Sequence, residues 1–293
     1  MRPILFSAII LFSLPGKSQD TTKTATAPAN TPQTSPDDTS THTGGISVSP
    51  TKLYFTVKPG QNKSMFITVH NNYVKSYKME VKFSDFEMTQ NGKTPFQKGN
   101  TSKSSLAEWI SFSPSFFEIP PGGEQKIAVT LNVPDIPEAY RAKWGTVFIN
   151  QSMERQSIDA SASDQTIAMG VIPTFSFGIY VYQNPPNVIV NKVEITNFSK
   201  TVSPKGKTML ELKAKNTGDG ITFSTSYIEL NNLKTGKKTK LGKKMFTILP
   251  DHERVFSYEL PDKLEKGDYS VLGVLDFGSK TELEAAELQL KVE

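Results

Sequence analysis

The sequence contains no cysteine, and only three of its 293 residues are histidine. The lack of cysteine excludes disulfides, thiolate metal sites, cysteine nucleophiles and a lipid anchor on an N-terminal cysteine. The histidines, His42, His70 and His252, lie far apart and share no metal-ligand spacing. No GxSxG motif, phosphate-binding loop or dinucleotide fingerprint occurs. We therefore expect a protein that is not an enzyme and binds no metal or cofactor.

Long hydrophobic runs are also scarce. One occurs at the N-terminus, where Arg2 precedes an apolar segment from Pro3 to Leu14. This segment is shorter than the ~20 residues that span a bilayer, and its pattern is typical of a secretory signal peptide, which we place at residues 1–19. The net charge of +4 is mild and does not indicate nucleic-acid binding. The sequence thus predicts an exported protein that core packing alone holds together.

The segment after the predicted signal peptide lacks large apolar side chains. It reads DTTKTATAPANTPQTSPDDTSTHT from Asp20 to Thr43 and is rich in threonine, serine, proline and alanine. Such a composition cannot bury enough surface to offset the entropy of folding. We predict that residues 20–45 form a disordered linker.

The rest of the chain alternates apolar and polar residues, the period that indicates β-strands. One example is KIAVTLNVP, whose apolar residues are Ile127, Val129, Leu131 and Val133. We predict an all-β protein with two immunoglobulin-like β-sandwiches in tandem, over residues 46–184 and 187–293. Pro185 and Pro186 would form a short, stiff hinge between them, because proline fixes φ and lacks a backbone donor.

The last strand before this hinge has an unusually apolar face. In VIPTFSFGIYVYQNPP that face consists of Val171, Phe175, Phe177, Ile179 and Val181. A strand of this kind either packs into the core of its own sandwich or lies at an edge where a partner binds. Pro173 at its start favours an edge, because proline removes one donor from a sheet ladder.

A basic run, KTGKKTKLGKK, holds six lysines between Lys234 and Lys244. It could contact anionic lipid headgroups at a membrane surface. It could equally be a solvated hairpin whose lysines discourage edge pairing. We favour the hairpin, because no aromatic residue lies among the lysines.

Four segments of the predicted first sandwich resemble the PapD-like periplasmic chaperones of pilus assembly. They are ISVSPTKLYF, FEIPPGGEQKIAVTL, VPDIPEAYRAKWGTVFIN and VIPTFSFGIYVYQNPP. The resemblance covers about residues 46–186. The predicted second sandwich resembles the family only in being immunoglobulin-like.

The resemblance implies a periplasmic, non-enzymatic chaperone that binds exported subunits with an incomplete sandwich or an exposed edge. The strand before the hinge would be the donor strand, which adds to the client by β-strand pairing. Lys52 lies where the family has a basic residue that anchors the client's terminal carboxylate. A second family lysine, in the donor strand, has no counterpart between Phe175 and Tyr182.

A second hypothesis is a structural or adhesion scaffold of the cell surface that binds a protein partner through ordinary faces. The first sandwich is similar to that of WxL-interacting proteins of Gram-positive surfaces. Those proteins carry a C-terminal membrane helix, whereas we expect none here, because the sequence stops within an alternating strand at QLKVE. The threonine- and proline-rich linker favours a surface-bound protein. The two hypotheses differ in whether the strand from Phe175 to Val181 has an exposed edge.

Overall fold

The structure is a computed structural model that describes residues 44–152, 174–186, 188, 192–279 and 282–293. The predicted signal peptide, nearly all of the predicted linker, and Val171 and Pro173 lie outside the described residues. No helix within the described ranges is long and apolar enough to span a membrane.

The described residues form two β-sandwiches, which confirms the predicted all-β fold class. The first sandwich contains β1 (Ile46–Ser49), β2 (Lys52–Phe55), β3 (Asn62–Asn71), β4 (Tyr77–Phe86), β5 (Phe96–Lys98), β6 (Ile110–Ser113), β7 (Phe116–Ile119), β8 (Glu124–Asn132), β9 (Lys143–Gln151) and β10 (Ser176–Gln183). A short 3-10 helix, Pro137–Tyr140, precedes β9. The second sandwich contains β11 (Val193–Val202), β12 (Thr208–Asn216), β13 (Thr222–Asn232), β14 (Lys238–Ile248), β15 (Glu253–Glu259), β16 (Gly267–Asp276) and β17 (Glu284–Val292).

Each sandwich is built from two sheets. In the first, sheet A has the order β1-β3-β8-β6, and sheet B has the order β2-β10-β9-β4-β5 with β7 also on β4. In the second, sheet C has the order β11-β12-β15, and sheet D has the order β14-β13-β16-β17. Every pairing is antiparallel except that of β10 with β2, which is parallel.

The alternation in sequence places apolar side chains between the sheets. In β8, Ile127, Val129 and Leu131 are fully buried, and the intervening residues are not. In the second sandwich, Leu210 and Leu212 of β12 lie in the core in the same way. Full burial of such a side chain contributes about 1.5–3 kcal/mol. Because the sequence has no cysteine, no disulfide stabilises the fold. Packing in these two cores therefore stabilises both sandwiches.

The first two strands, β1 and β2, belong to different sheets of the first sandwich. β1 pairs with β3 in sheet A, and after Pro50 the chain crosses to sheet B, where β2 pairs with β10. Leu53, Phe55 and Val57 alternate with exposed residues and are all buried, so this segment contributes one apolar face to the core. The crossing limits β2 to four residues, and this length determines how much of β10 it covers.

We predict that Ile179→Ala destabilises the first sandwich by about 2–5 kcal/mol, because the side chain is 1% exposed and its loss leaves a cavity. Chemical denaturation followed by fluorescence would measure the change. Ser176→Ala, an exposed position on the same strand, is the control and should change stability by less than about 0.5 kcal/mol. Equal effects of the two substitutions would contradict the core position of Ile179.

Candidate interaction edge and interdomain cleft

β10 has two neighbours along only half of its length. β9 pairs with it from Ser176 to Gln183, whereas β2 pairs with it only from Tyr180 to Gln183. Within the described residues, the stretch Ser176–Ile179 therefore has a partner strand on one side only. We call this stretch the open edge.

The hydrogen bonds of β10 show which backbone groups face the open edge. Tyr180 N–H donates to Thr51 O at 3.1 Å, on the side of β2, and Phe175 O accepts from Gln151 N at 2.8 Å, on the side of β9. Because backbone groups alternate sides along a strand, the N–H and C=O of Ser176 and Gly178 point away from β9. The open edge thus presents two donors and two acceptors to an added strand.

The predicted apolar face of this strand divides into two parts. Ile179 and Val181 are 1% and 0% exposed and belong to the core of the first sandwich. Phe175 and Phe177 are half-buried at the margin of that core, with ring centroids 6.3 Å apart.

An aromatic cluster supports this margin. Phe175 packs at 5.6 Å from the rings of both Tyr73 and Tyr77, which themselves lie 5.3 Å apart. These three rings and that of Phe177 pack against the margin of the core beside the open edge. They leave apolar surface of Phe175 and Phe177 accessible next to the free backbone groups.

The outer face of sheet B contacts the second sandwich, and we call the exposed surface around Lys52, Tyr54 and Phe223 the cleft. Lys52 is exposed on this face, and its strand neighbour Tyr54 stacks on Tyr182 at 5.7 Å. Phe223 of the second sandwich meets Tyr54 at 4.8 Å, edge to face. Tyr54 and Phe223 are 47% and 43% exposed, so aromatic surface lines the cleft. Among the described residues, no carboxylate forms an ion pair with Lys52.

Apolar packing joins the two sandwiches beneath this cleft. The buried members of the contact are Phe86, Ala142, Trp144, Tyr182, Ile221 and Leu249. Burial raises the pKa of the Tyr182 hydroxyl far above its usual range. Tyr182 is therefore a neutral part of the interface and no candidate for acid–base chemistry.

The turn between β4 and β5 binds the second sandwich through polar contacts. Val255 N–H donates to Gln90 O at 2.9 Å, and Gln90 Nε2 donates to Glu253 Oε2 at 2.6 Å. His252 Nε2 lies 3.0 Å from Glu87 Oε2. The segment around His252, between β14 and β15, is thus part of the domain interface. Sequence reasoning missed this role, because no local pattern links position 87 to position 252.

Arg254 lies in the same interface without a carboxylate partner among the described residues. Its Nε is buried and makes no hydrogen bond, and burial lowers the pKa of the guanidinium. The guanidinium packs against Gly92, where an added Cβ would fall 2.4 Å from Nη2. A glycine at position 92 is therefore needed for this close approach.

Three of the six lysines of the basic run contact neighbouring residues. Lys237 Nζ lies 2.7 Å from Glu265 Oε1, and Lys240 Nζ lies 2.6 Å from Glu229 Oε1. Lys244 donates to Ser257 O and lies over the Tyr258 ring. These contacts favour the solvated-hairpin interpretation, and contact with a membrane surface stays an untested alternative.

The described residues contain no cluster of three or more His, Cys, Asp or Glu side chains that could hold a metal ion. The candidate site is therefore one of backbone groups, aromatic rings and a lysine.

No protein-family model matches the sequence, and no curated protein matches it. Among solved structures, the chain is similar to a chain of the chaperone–tip adhesin complex of CFA/I fimbriae, at 10% identity and a TM-score of 0.44, with 85% of this chain and 100% of that chain covered. It is similar to the class 5 fimbriae chaperone CfaA, at 12% identity and a TM-score of 0.42, with the same coverage. It is also similar to the E. coli chaperone DraB, at 15% identity and a TM-score of 0.41, with 84% of this chain and 98% of that chain covered.

Asn184 bridges the sandwiches directly after β10. Its Oδ1 accepts from Ile221 N at 2.9 Å, and its Nδ2 donates to Ile221 O at 3.0 Å. The side chain therefore satisfies both backbone groups of Ile221 across the interface.

We predict that Asn184→Ala weakens the coupling of the sandwiches, because it leaves both Ile221 groups without their partner, at a cost of about 1–3 kcal/mol. Spin labels at Ser111 and Lys238, one on each sandwich, would report a broader distance distribution by pulsed electron resonance. Asn197→Ala, at an exposed asparagine of β11, is the matched control and should leave the distribution unchanged. An unchanged distribution in Asn184→Ala would refute the bridging role.

Proposed function

We propose that this chain is a non-enzymatic, chaperone-like protein that binds exported or surface-assembled subunits by β-strand addition at the open edge. One observation carries the proposal: β2 leaves Ser176–Ile179 uncovered, so the backbone groups of Ser176 and Gly178 have no partner among the described residues. Such groups are a template for an added strand. The partner would supply the strand that β2 is too short to provide.

The side chains of β10 also favour the open edge as the place where a partner binds. Of the residues expected to face a client, Phe175 and Phe177 are the ones with accessible surface beside the open edge. Ile179 and Val181 would instead hold the strand in place from the core. Each backbone hydrogen bond to the partner would contribute about 0.5–1.5 kcal/mol, and the two phenyl groups would add apolar burial.

Lys52 is proposed as an anchor for a client's terminal carboxylate. It is exposed in the cleft and sits directly opposite Tyr180, one residue beyond the open edge. A partner strand that runs in line with β2 would bring its end near this ammonium group. The family's second basic residue is missing from Phe175 to Tyr182, so Lys52 would act without it.

The proposed partner is an exported subunit with an incomplete sandwich, and the proposed location is the periplasm. This follows from the predicted signal peptide and from the lack of a catalytic motif in the sequence. The cell surface is the alternative location.

The alternative function is a two-sandwich scaffold that binds a partner through ordinary faces. The burial of Ile179 and Val181 favours it, because half of the predicted donor face serves the protein's own core. The open edge favours the chaperone-like function, since a scaffold has no need of free backbone groups at that place.

A photocrosslinking amino acid in place of Phe177 should trap a discrete exported partner in cells, because this side chain lies at the edge and is half-buried. Mass spectrometry of the captured complex would identify the partner. The same probe at Lys238, an exposed position of the second sandwich, is the control. Capture at both positions, or at neither in a folded protein, would contradict strand addition.

Ser176→Pro provides a second test. Proline removes the Ser176 N–H, which faces the open edge, and leaves the hydrogen bonds of β10 to β9 in place. We expect at least a tenfold loss of partner capture from position 177 with little change in melting temperature. Ser176→Ala controls for loss of the Ser176 Oγ bond to Asn150 Oδ1 and should retain capture. Normal capture by Ser176→Pro would show that the edge does not bind through its backbone.

A further inference from the structure

The centre of the open edge carries no side chain on its outer face. Gly178 lies between Ser176 and Tyr180 on that face, and Phe148 of β9 is directly opposite it. A Cβ on Gly178 would lie 3.3 Å from Phe148 Cε1 and 3.4 Å from Thr146 Cγ2. The surface above Gly178 is therefore bounded on the β9 side by an aromatic ring and a methyl group, and open on the other side.

The ring of Phe148 is part of an aromatic pair. Phe96 of β5 meets it edge to face, with ring centroids 4.8 Å apart, and Phe96 is 47% exposed. The two rings form an apolar surface across sheet B that ends at the bare backbone of Gly178. Ser176, in contrast, hydrogen-bonds to Asn150, so the outer face next to it is polar.

An added strand would place one residue opposite Gly178 and on the same outer face. Strands lie about 4.7–4.9 Å apart, so a large side chain at that position reaches across the glycine to the Phe148 ring. Cross-strand contact of this kind stabilises glycine positions in sheets, whereas a small side chain leaves the backbone of Gly178 open to water.

The length of the open edge limits where an added strand can pair with β10. Pairing beyond Ile179 is blocked, because Tyr180 N–H already donates to Thr51 O and β2 continues from there. The added strand is thus continuous with the existing β2–β10 pairing and has two outward positions, opposite Ser176 and opposite Gly178, of which only the second faces a residue without a side chain. Its inward neighbours would lie opposite Phe177 and Ile179.

We infer that the partner strand carries an aromatic residue opposite Gly178, flanked by inward-facing apolar residues, and that Gly178 and Phe148 select for it. This inference rests on the proposed strand addition and names the class of strand that fits.

Two fluorescein-labelled nine-residue peptides test the inference. Both alternate valine at inward positions with threonine at outward positions and carry lysine at the ends; they differ only in an outward phenylalanine or alanine at the third position from the C-terminus, so that a strand in line with β2 ends where β2 begins. Fluorescence anisotropy with the full chain should show roughly three- to tenfold tighter binding of the phenylalanine peptide, the range that one aromatic contact supplies.

Two variants separate the contact from general effects. Gly178→Ala fills the space at the edge, and Phe148→Ala removes the ring, so each should bring the affinity ratio of the two peptides close to one. Lys82→Ala, next to Phe148 on β4, is the control and should keep the ratio. Melting temperatures of all variants would verify that the first sandwich is intact.

The outcomes distinguish the two proposals. Equal binding of both peptides that Ser176→Pro abolishes would overturn the aromatic preference and leave strand addition standing. Binding of neither peptide, or binding that Ser176→Pro does not change, would overturn strand addition and the inference with it. A ratio that persists in Phe148→Ala would also overturn the assigned role of that ring.

Discussion

The parallel pairing of β2 with β10 is the contact on which the site depends. It covers Tyr180–Gln183 and stops there, because the chain before β2 belongs to the other sheet. At the covered end, Gln183 is fully buried, and its side chain exchanges hydrogen bonds with the backbone of Val57 at 3.1 and 2.7 Å. One end of β10 is therefore fixed by backbone and side-chain bonds, while its other end is paired on one side only. Both the core and the open edge follow from this division.

Much of the fold could be predicted from the local sequence pattern. The alternation of Ile127, Val129 and Leu131 predicts a strand with one buried face, and the structure has that strand, because period-2 side chains must face the opposite sheet. The division of ISVSPTKLYF into β1 and β2 was not predicted. It depends on which sheet each half joins, and that is decided by strands distant in sequence.

The site was predictable only in part, for the same reason. The apolar face of β10 is visible in the sequence and left two interpretations open, a core strand or an edge. The structure contains both: the Ile179 side chain is buried in the core and the Phe177 side chain is half-buried at its margin, and both residues lie in the stretch of β10 that β2 leaves unpaired. The contact between Gly178 and Phe148, and that between Glu87 and His252, join segments that no local motif connects.

The shortness of the open edge also bears on solubility at high protein concentration. A long, flat edge templates the stacking of identical chains, and natural sheets commonly avoid this with very short edge strands. Here two copies that met edge to edge would gain few backbone bonds, and the adjacent Thr51 and β2 would stop the ladder from extending. An edge of this length is therefore a poor template for fibrils of the chain itself.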